Sequence, residues 1–318
     1  MQGSKETIIE NHLNHTLKSV LYPAPARKGK VRDIFEKNDE LFLVASDRVS
    51  AFDVVLGTIP LKGAMLTEQT TFWLNKVTEI VPTHLIDRPD AQVMRCKKAK
   101  PLAVEMVVRG YLAGSLARED ANTRGSKYGL KLNPHMREYE AFETPIITPT
   151  TKAEVGEHDM PCSMDELIAS GAVTKSQAEE ISEISLALFK TGQAFAERQN
   201  LILVDTKYEF GIHNGKVILI DEIHTADSSR YWKKDSYDAK LAAGVAPEML
   251  DKERLRRWLI SEHNYRGEGE APQLSDDIRT DLSVHYWELT ELLTGQRFEA
   301  PTAMASNRVP ALLQKHAL

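Results

Sequence analysis

Short apolar runs divided by charged and turn-forming residues set the pattern of this chain, and sustained helical periodicity is concentrated in its second half. Residues 31–35, 41–45, 104–109, 201–204 and 217–220 are predicted as strands, each short and bounded by polar or turn residues. Residues 66–77 are predicted as an amphipathic helix. Residues 175–199 are predicted as a longer one, with Ile181, Ile184, Leu188 and Phe195 on one stripe. Leu255, Trp258 and Leu259, then Leu282, Trp287, Leu289 and Leu292, continue helical spacing on either side of a turn-rich 266–272 and are read as structural. Residues 82–96 look turn-rich and 118–149 irregular and polar. We find no internal repeat, low-complexity tract or flexible linker.

The chain's 318 residues can bury a large core. Two lobes with a cleft between them are expected: 1–112, which carries the basic loop, and 113–318, which carries the charged hairpin and the terminal helices. With 42% hydrophobic and 27% charged residues the composition is that of an ordinary globular protein, and a net charge of -6 argues against general nucleic-acid binding. Cys96 and Cys162 are too few for a disulfide framework and have no metal-ligand spacing, and no apolar run approaches a signal peptide or membrane span. A soluble cytoplasmic protein without membrane contact is therefore expected.

The densest chemistry lies in the hairpin formed by the last two strand candidates. Val204-Asp205-Thr206-Lys207-Tyr208-Glu209-Phe210-Gly211 precedes the turn signal His213-Asn214-Gly215-Lys216, and Asp221-Glu222 follows the return strand. Its register decides which charges meet, because a slip of one residue moves every side chain to the opposite face. A two-residue Asn-Gly turn pairs Glu209 with Ile220 and sends Asp221 to the far face. A three-residue loop with a bulge at Gly215 pairs Lys207 with Asp221 and gathers Asp205, Lys207, Glu209 and Asp221 on one side. Such a cluster suits Mg²⁺ held jointly with nucleotide phosphates, and equally a salt-bridged surface.

Other constellations point toward anions. Lys28-Gly29-Lys30-Val31-Arg32-Asp33 sets three cations about one glycine, a loop able to cradle a polyphosphate, although it matches neither the Walker nor the Rossmann pattern. Ser46 to Asp53, with Asp47, Arg48 and Ser50, reads as a polar substrate loop after a strand. Arg109 runs from an apolar strand into Gly110-Tyr111-Leu112-Ala113-Gly114-Ser115, a guanidinium and hydroxyl suited to a phosphate or carboxylate, and Arg230 is a second such clamp. Lys152 stands in a loop facing nucleotide and carboxylate substrates. His158-Asp159 beyond it makes a poor metal pair for want of a second imidazole.

Taken in order, Gly29 to Asp33, Ser46 to Asp53, Pro60 to Gly63, Arg109 to Ser115, Lys152 with His158-Asp159, Asp205 to Gly211 and Asp221 to Trp232 resemble the SAICAR synthetase family, over about residues 25 to 240. Ala226 departs from the family's usual proline, and Leu116-Ala117 from its usual small-residue and tryptophan pair. The resemblance implies an α+β fold, with an antiparallel-sheet N-terminal lobe over a larger α/β lobe, related to protein-kinase and ATP-grasp architectures, and the nucleotide in the cleft. It implies an ATP- and Mg²⁺-dependent ligase of purine biosynthesis that joins 5-aminoimidazole-4-carboxylate ribonucleotide to L-aspartate through an acyl phosphate. Lys28, Gly29, Lys30 and Arg32 are then expected at ATP, and Glu209 and Asp221 at the metal and nucleotide. Asp47, Arg48, Ser50, Arg109, Ser115 and Arg230 are expected at substrate, and Asp205, Lys207, Lys152 and Asp159 at the reacting centre. Because the metal reading asks Glu209 and Asp221 to face one cleft, it favours the bulged turn.

Two rivals remain. A kinase-like phosphotransferase on a small molecule would use the same parts, but the His-Arg-Asp and Asp-Phe-Gly signatures of protein kinases are missing. A nucleotide-binding module without catalysis gives no reason to keep Lys207, Glu209, Asp221 and Arg230 together. The oligomeric state is left open.

Overall fold

Turn chemistry starts the first sheet. Asn38, in the left-handed region at φ 53°, closes a tight hairpin between β2 (Arg32–Lys37) and β3 (Glu40–Ala45), and the two-residue β1 (Arg27–Lys28) adds to β2. The computed structural model describes residues 4–21, 24–52, 54–152, 159–250, 253–316 and 318, so Asp53 and His158 lie outside the described residues. β4 (Arg48–Ala51) and β5 (Val54–Thr58) form a separate ribbon where a loop was expected. β6 (Leu85–Asp90) and β7 (Val93–Lys97) complete a five-stranded sheet in the order β1-β2-β3-β7-β6 among the described residues. They occupy the stretch expected to be turn-rich, because Pro89 and the charges of β6 sit at a sheet edge, where proline is tolerated.

Strand alternation gives this sheet two apolar faces. Phe35, Phe42, Val44 and Val93 pack with Leu17 and Val20, while Leu43, Met94 and Cys96 form a cluster on the other side with Ile34, Leu41 and Leu85.

The second sheet is built on two long strands, β8 (Lys100–Tyr111) and β11 (Leu201–His213), paired antiparallel. β9 (Ala141–Ile147) and β10 (Thr150–Thr151) flank β8, and β12 (Lys216–Ile220) and β13 (Ser229–Lys233) flank β11. β9 lies in the stretch read as irregular, and it too is an edge strand containing a proline, Pro145. β8 ends at the expected lobe boundary, yet it belongs to this sheet, whose other strands all come from beyond residue 112.

Helices cover the second sheet. α1 (Lys5–His12) precedes α2 (Lys62–Lys76), which begins four residues earlier than expected, and eleven of its residues are buried rather than one amphipathic stripe. The short α3 (Gly114–Ala117) and α4 (Met164–Ala169) lead to α5 (Lys175–Arg198). Its Thr174–Gln177 capping box and buried Ile181, Leu188, Phe189 and Phe195 dock it on β8 and β11. Then come α6 (Tyr237–Ala242), α7 (Glu253–His263), α8 (Asp276–Thr294), packed on α2, and α9 (Ala305–Lys315), whose Ala305, Val309 and Leu313 cover the Phe35 face of the first sheet. No described helix is long and apolar enough to cross a membrane.

Candidate active site

A bulge exposes the charged face of β11. Leu201 and Leu203 point into the large core at the start of the strand, whereas Tyr208 and Phe210 do so further along, and the register against β13 shifts between Leu203 and Asp205. The extra residue exchanges the faces, so Asp205, Lys207 and Glu209 emerge together opposite the core. On β8, Val104, Met106 and Val108 are buried in that core, while Arg109 stands opposite Asp205 and Glu105 opposite Glu209. Directly paired residues share a face, so two strands deliver five charged side chains to one surface.

At one end of that surface Asp205 Oδ2 accepts from Arg230 Nη1 at 2.6 Å and from Arg109 Nη1 at 3.4 Å. Arg109 is further oriented by donation to Thr148 Oγ1 at 2.8 Å and to the exposed Ser115 Oγ at 3.3 Å. Gly114 has φ +64°, and a Cβ there would lie 2.7 Å from the Arg230 guanidinium, so its bare backbone lets the arginine lie across the loop. Two guanidinium groups and a hydroxyl thus converge, a donor set for a phosphate or carboxylate.

At the other end Lys207 Nζ donates to Glu105 Oε1 and Glu209 Oε1, each at 2.7 Å, and Lys152 also pairs with Glu209. Burial alone would lower the Lys207 pKa, but Glu209 and Glu105 outweigh it and push it above the ordinary lysine range. Burial would raise that of Glu209, but Lys207 and Lys152 hold it well below the usual carboxylate value. Glu105 moves up, through burial and the Glu209 charge against the pull of Lys207. Lys207 is therefore a fixed cation at neutral pH and unsuited to act as a general base. The exposed Asp159 is close enough for its charge to act on Glu105.

The hairpin takes the tight register. Glu209 pairs with Ile220 and His213 with Lys216, closed by Asn214 at φ 51° and Gly215 at φ 76°. The bulged turn favoured by the metal reading is thus corrected: both loop residues accept left-handed backbone, and a two-residue turn of that kind matches strand twist. Gly215 is left-handed as looked for, but so is Asn214. Asp221 does not pair with Lys207; it leaves the strand at φ 63° and pairs with Arg32, which also contacts Glu222 Oε2 at 3.0 Å. Arg32 thus ties the first sheet to the end of β12. Buried His84 senses both ends of this region, its pKa pushed down to about 3 by burial and then by Arg32 and Lys97, against Glu209. Among the described residues no group of three or more His, Cys, Asp or Glu side chains is arranged to hold a metal ion alone.

Lys28, Gly29 and Lys30 are exposed on the basic loop, closed by Gly29 N–H to Arg32 O at 2.7 Å. Arg48 and Asp47, expected to face substrate, point inward instead. Arg48 donates to the carbonyls of Lys30 at 2.8 Å, Gly29 at 3.1 Å and Lys18 at 2.5 Å, and to Asp33 Oδ1 at 2.9 Å, so it braces that loop from behind. Asp47 accepts from Leu17 N–H at 2.6 Å and Gly63 N–H at 2.9 Å, and burial pushes its pKa up to about 6 against those bonds. Ser50 is half-buried on β4. Glu105 and Thr148 were missed; the alternation of Glu105 and Arg109 with the apolar 104, 106 and 108 placed Glu105 on the charged face, whereas Thr148 carries no such signal.

A family model described as SAICAR synthetase matches residues 25–272. The phosphoribosylaminoimidazole-succinocarboxamide synthase of Cytophaga hutchinsonii is 45% identical over 277 residues, covering 86% of this chain and 89% of the relative. That of Bacteroides thetaiotaomicron is 44% identical over 274 residues, covering 85% and 87%. The solved SAICAR-synthase from Saccharomyces cerevisiae, complexed with SAICAR, superposes with a TM-score of 0.77 at 31% identity, covering 89% of this chain and 99% of that one. With the matched stretch spanning both sheets and the charged face between the arginine pair and Lys207, the chain belongs to the SAICAR synthetase family.

Proposed function

We propose that this protein is the ATP-dependent ligase that joins 5-aminoimidazole-4-carboxylate ribonucleotide to L-aspartate, releasing SAICAR, ADP and phosphate. Family membership supports the reaction, and the observation that carries its placement is the convergence of Arg109, Arg230 and Ser115 beside the Glu105–Lys207–Glu209 cluster on one sheet face. In this reading the basic loop of Lys28, Gly29 and Lys30 receives ATP phosphates between a kinase-like or ATP-grasp-like pair of lobes. Arg109, Arg230 and Ser115 hold the ribonucleotide phosphate.

The substrate carboxylate is a poor acylating agent, and transfer of the terminal phosphoryl group of ATP converts it to an acyl phosphate. The aspartate amine attacks that carbonyl, phosphate leaves, and the amide forms. Positioning and charge neutralisation supply the rate, with no protein nucleophile. Lys207, held as a cation by its carboxylates, and Lys152 neutralise charge developing on the transferred group, while Asp205 orients the two arginines and Asp159 lies at the rim. Glu209 and Asp221 offer hard oxygens that fit Mg²⁺, an ion commonly bound by one or two carboxylates with nucleotide phosphates completing its shell. When bound, that ion supplies charge neutralisation at the phosphates. Both carboxylates are at present paired with cations, Glu209 with Lys207 and Lys152 and Asp221 with Arg32, and an Mg²⁺ ion held there would share them. ATP and aspartate as substrates fit a cytoplasmic enzyme.

The test is ADP release, expected only when ATP, the ribonucleotide and aspartate are all present. Steady ADP release with the ribonucleotide and no aspartate favours the phosphotransferase reading instead.

A further inference from the structure

We infer that α8, through Tyr286 and Thr290, positions the loop that delivers Arg230, so that two side chains beyond the family-matched stretch set the geometry of the anion clamp. The inference rests on Arg230 belonging to that clamp. Arg230 is the second residue of β13, only three residues after Asp227. Asp227 Oδ1 accepts from Tyr286 Oη at 2.6 Å and its Oδ2 from Lys62 Nζ at 2.7 Å. Lys62 is fully buried, the Asp227 side chain is 3% exposed, and the ammonium stands 5.3 Å from the Tyr286 ring centroid.

A second chain of bonds grips the neighbouring residue. Ala226 N–H donates to Gln69 Oε1 at 2.8 Å, and Gln69 Nε2 donates to Thr290 Oγ1 at 2.8 Å, with Gln69 and Thr290 both fully buried. Thr290 Oγ1 donates in turn to the Tyr286 carbonyl at 2.7 Å, one helical turn away on the same face of α8. Two consecutive loop residues are thus tied to one helix face by separate routes. The Ala226 bond requires an amide proton, which a proline at that position lacks.

The path from there to Arg230 is short and stiff. Thr225 and Ser228 exchange backbone-to-hydroxyl bonds at 3.1 Å, and Ser229 N–H donates to Thr225 O at 3.1 Å. The Ser229 hydroxyl contacts Thr206 Oγ1 at 2.7 Å on β11. A displacement at 226 or 227 therefore reaches Arg230 and its 2.6 Å contact with Asp205. Its effect falls on the ribonucleotide end of the site, while the basic loop is braced separately by Arg48.

The test uses the full chain with Tyr286→Phe, Thr290→Val and the conservative Thr290→Ser, each assayed for initial rates with the ribonucleotide or ATP varied. Tyr286→Phe and Thr290→Val are expected to raise KM for the ribonucleotide about tenfold, with KM for ATP within about twofold and Thr290→Ser near wild type. KM does not depend on how much protein is folded, so reduced yield of a variant leaves the readout intact. Equal changes in both KM values, or none, overturn the inference. Failure of the wild type to release ADP with all three substrates overturns the ligase reading itself, and is seen before any variant is made.

Discussion

Lys207→Met removes a cation that touches both Glu105 and Glu209, and the outcome can be worked from the geometry. The two carboxylates are cross-strand partners on one sheet face, each 2.7 Å from the ammonium, with side chains 12% and 7% exposed. Breaking a buried ion pair on one side costs about 3–5 kcal/mol; because Lys207 is 31% exposed and Lys152 still serves Glu209, we expect the lower end, about 3 kcal/mol at pH 8. The loss must depend on pH. Without Lys207, the Glu105 pKa, already raised by burial, rises further, so the folded state holds a proton that the unfolded chain releases at ordinary carboxylate pH. A carboxyl whose folded pKa exceeds its unfolded value costs stability above the folded pKa and recovers it as pH falls. The wild type runs the other way through Glu209, whose depressed pKa stabilises above the unfolded carboxylate range and is lost as pH falls through its folded value. Urea unfolding followed by circular dichroism at about pH 8 and about pH 5.5 therefore gives a difference between variant and wild type that shrinks on acidification. Adding Glu105→Gln recovers a large part of the loss at the higher pH. A penalty below about 0.5 kcal/mol, or one equal at both pH values, refutes the description of Lys207 as a cation held between two desolvated carboxylates.

Four further outcomes follow from named contacts. Asp221→Asn is expected to lower turnover about a hundredfold or more with the urea midpoint only slightly reduced, since Arg32 keeps Glu222; near-normal turnover sinks the metal role. Gly114→Ala puts a methyl 2.7 Å from the Arg230 guanidinium and strains a left-handed backbone, so it should cost about 1–2 kcal/mol and raise KM for the ribonucleotide, with an unchanged KM disproving the crossing. Arg48→Lys cannot reproduce the fork to three carbonyls and Asp33; KM for ATP should rise and stability fall by about 2–3 kcal/mol, read by titration with an ATP analogue and by denaturant melts. Lys62→Met leaves the buried Asp227 without its ammonium, and a melt should register about 3–5 kcal/mol, whereas a loss under about 1 kcal/mol contradicts the buried pair.

The strands that carry the chemistry were legible because their apolar runs are short and their charges fall at alternate positions, as in 104–109. β6 and β9 were not, since each carries a proline at a sheet edge and reads as a turn. Arg48 shows a different kind of blindness. Its residue type fits an anion site, and nothing in Ser46 to Asp53 tells an arginine that grips a ligand from one that grips the carbonyls behind a ligand loop. The same holds for Tyr286, a ring at helical spacing whose hydroxyl finds Asp227 only once α8 lies on α2.

The hairpin separates what local chemistry decides from what tertiary structure decides. Asn214-Gly215 has two residues that accept positive φ, which is sufficient for the tight turn, and the pull of a metal site on the register was the wrong lever. The far-face objection to Asp221 assumed that strand alternation continued through it. Alternation ends at Ile220, the last residue of β12, and the left-handed backbone of Asp221 turns its carboxylate toward Arg32 of the first sheet. One non-glycine residue in a costly conformation thus carries its carboxylate to the first sheet without any register shift, and the ion pair with Arg32 offsets part of that cost. If the strain is retained for function, Asp221→Gly should stabilise the backbone locally and still abolish turnover, separating the conformation, which glycine supplies freely, from the carboxylate, which it cannot.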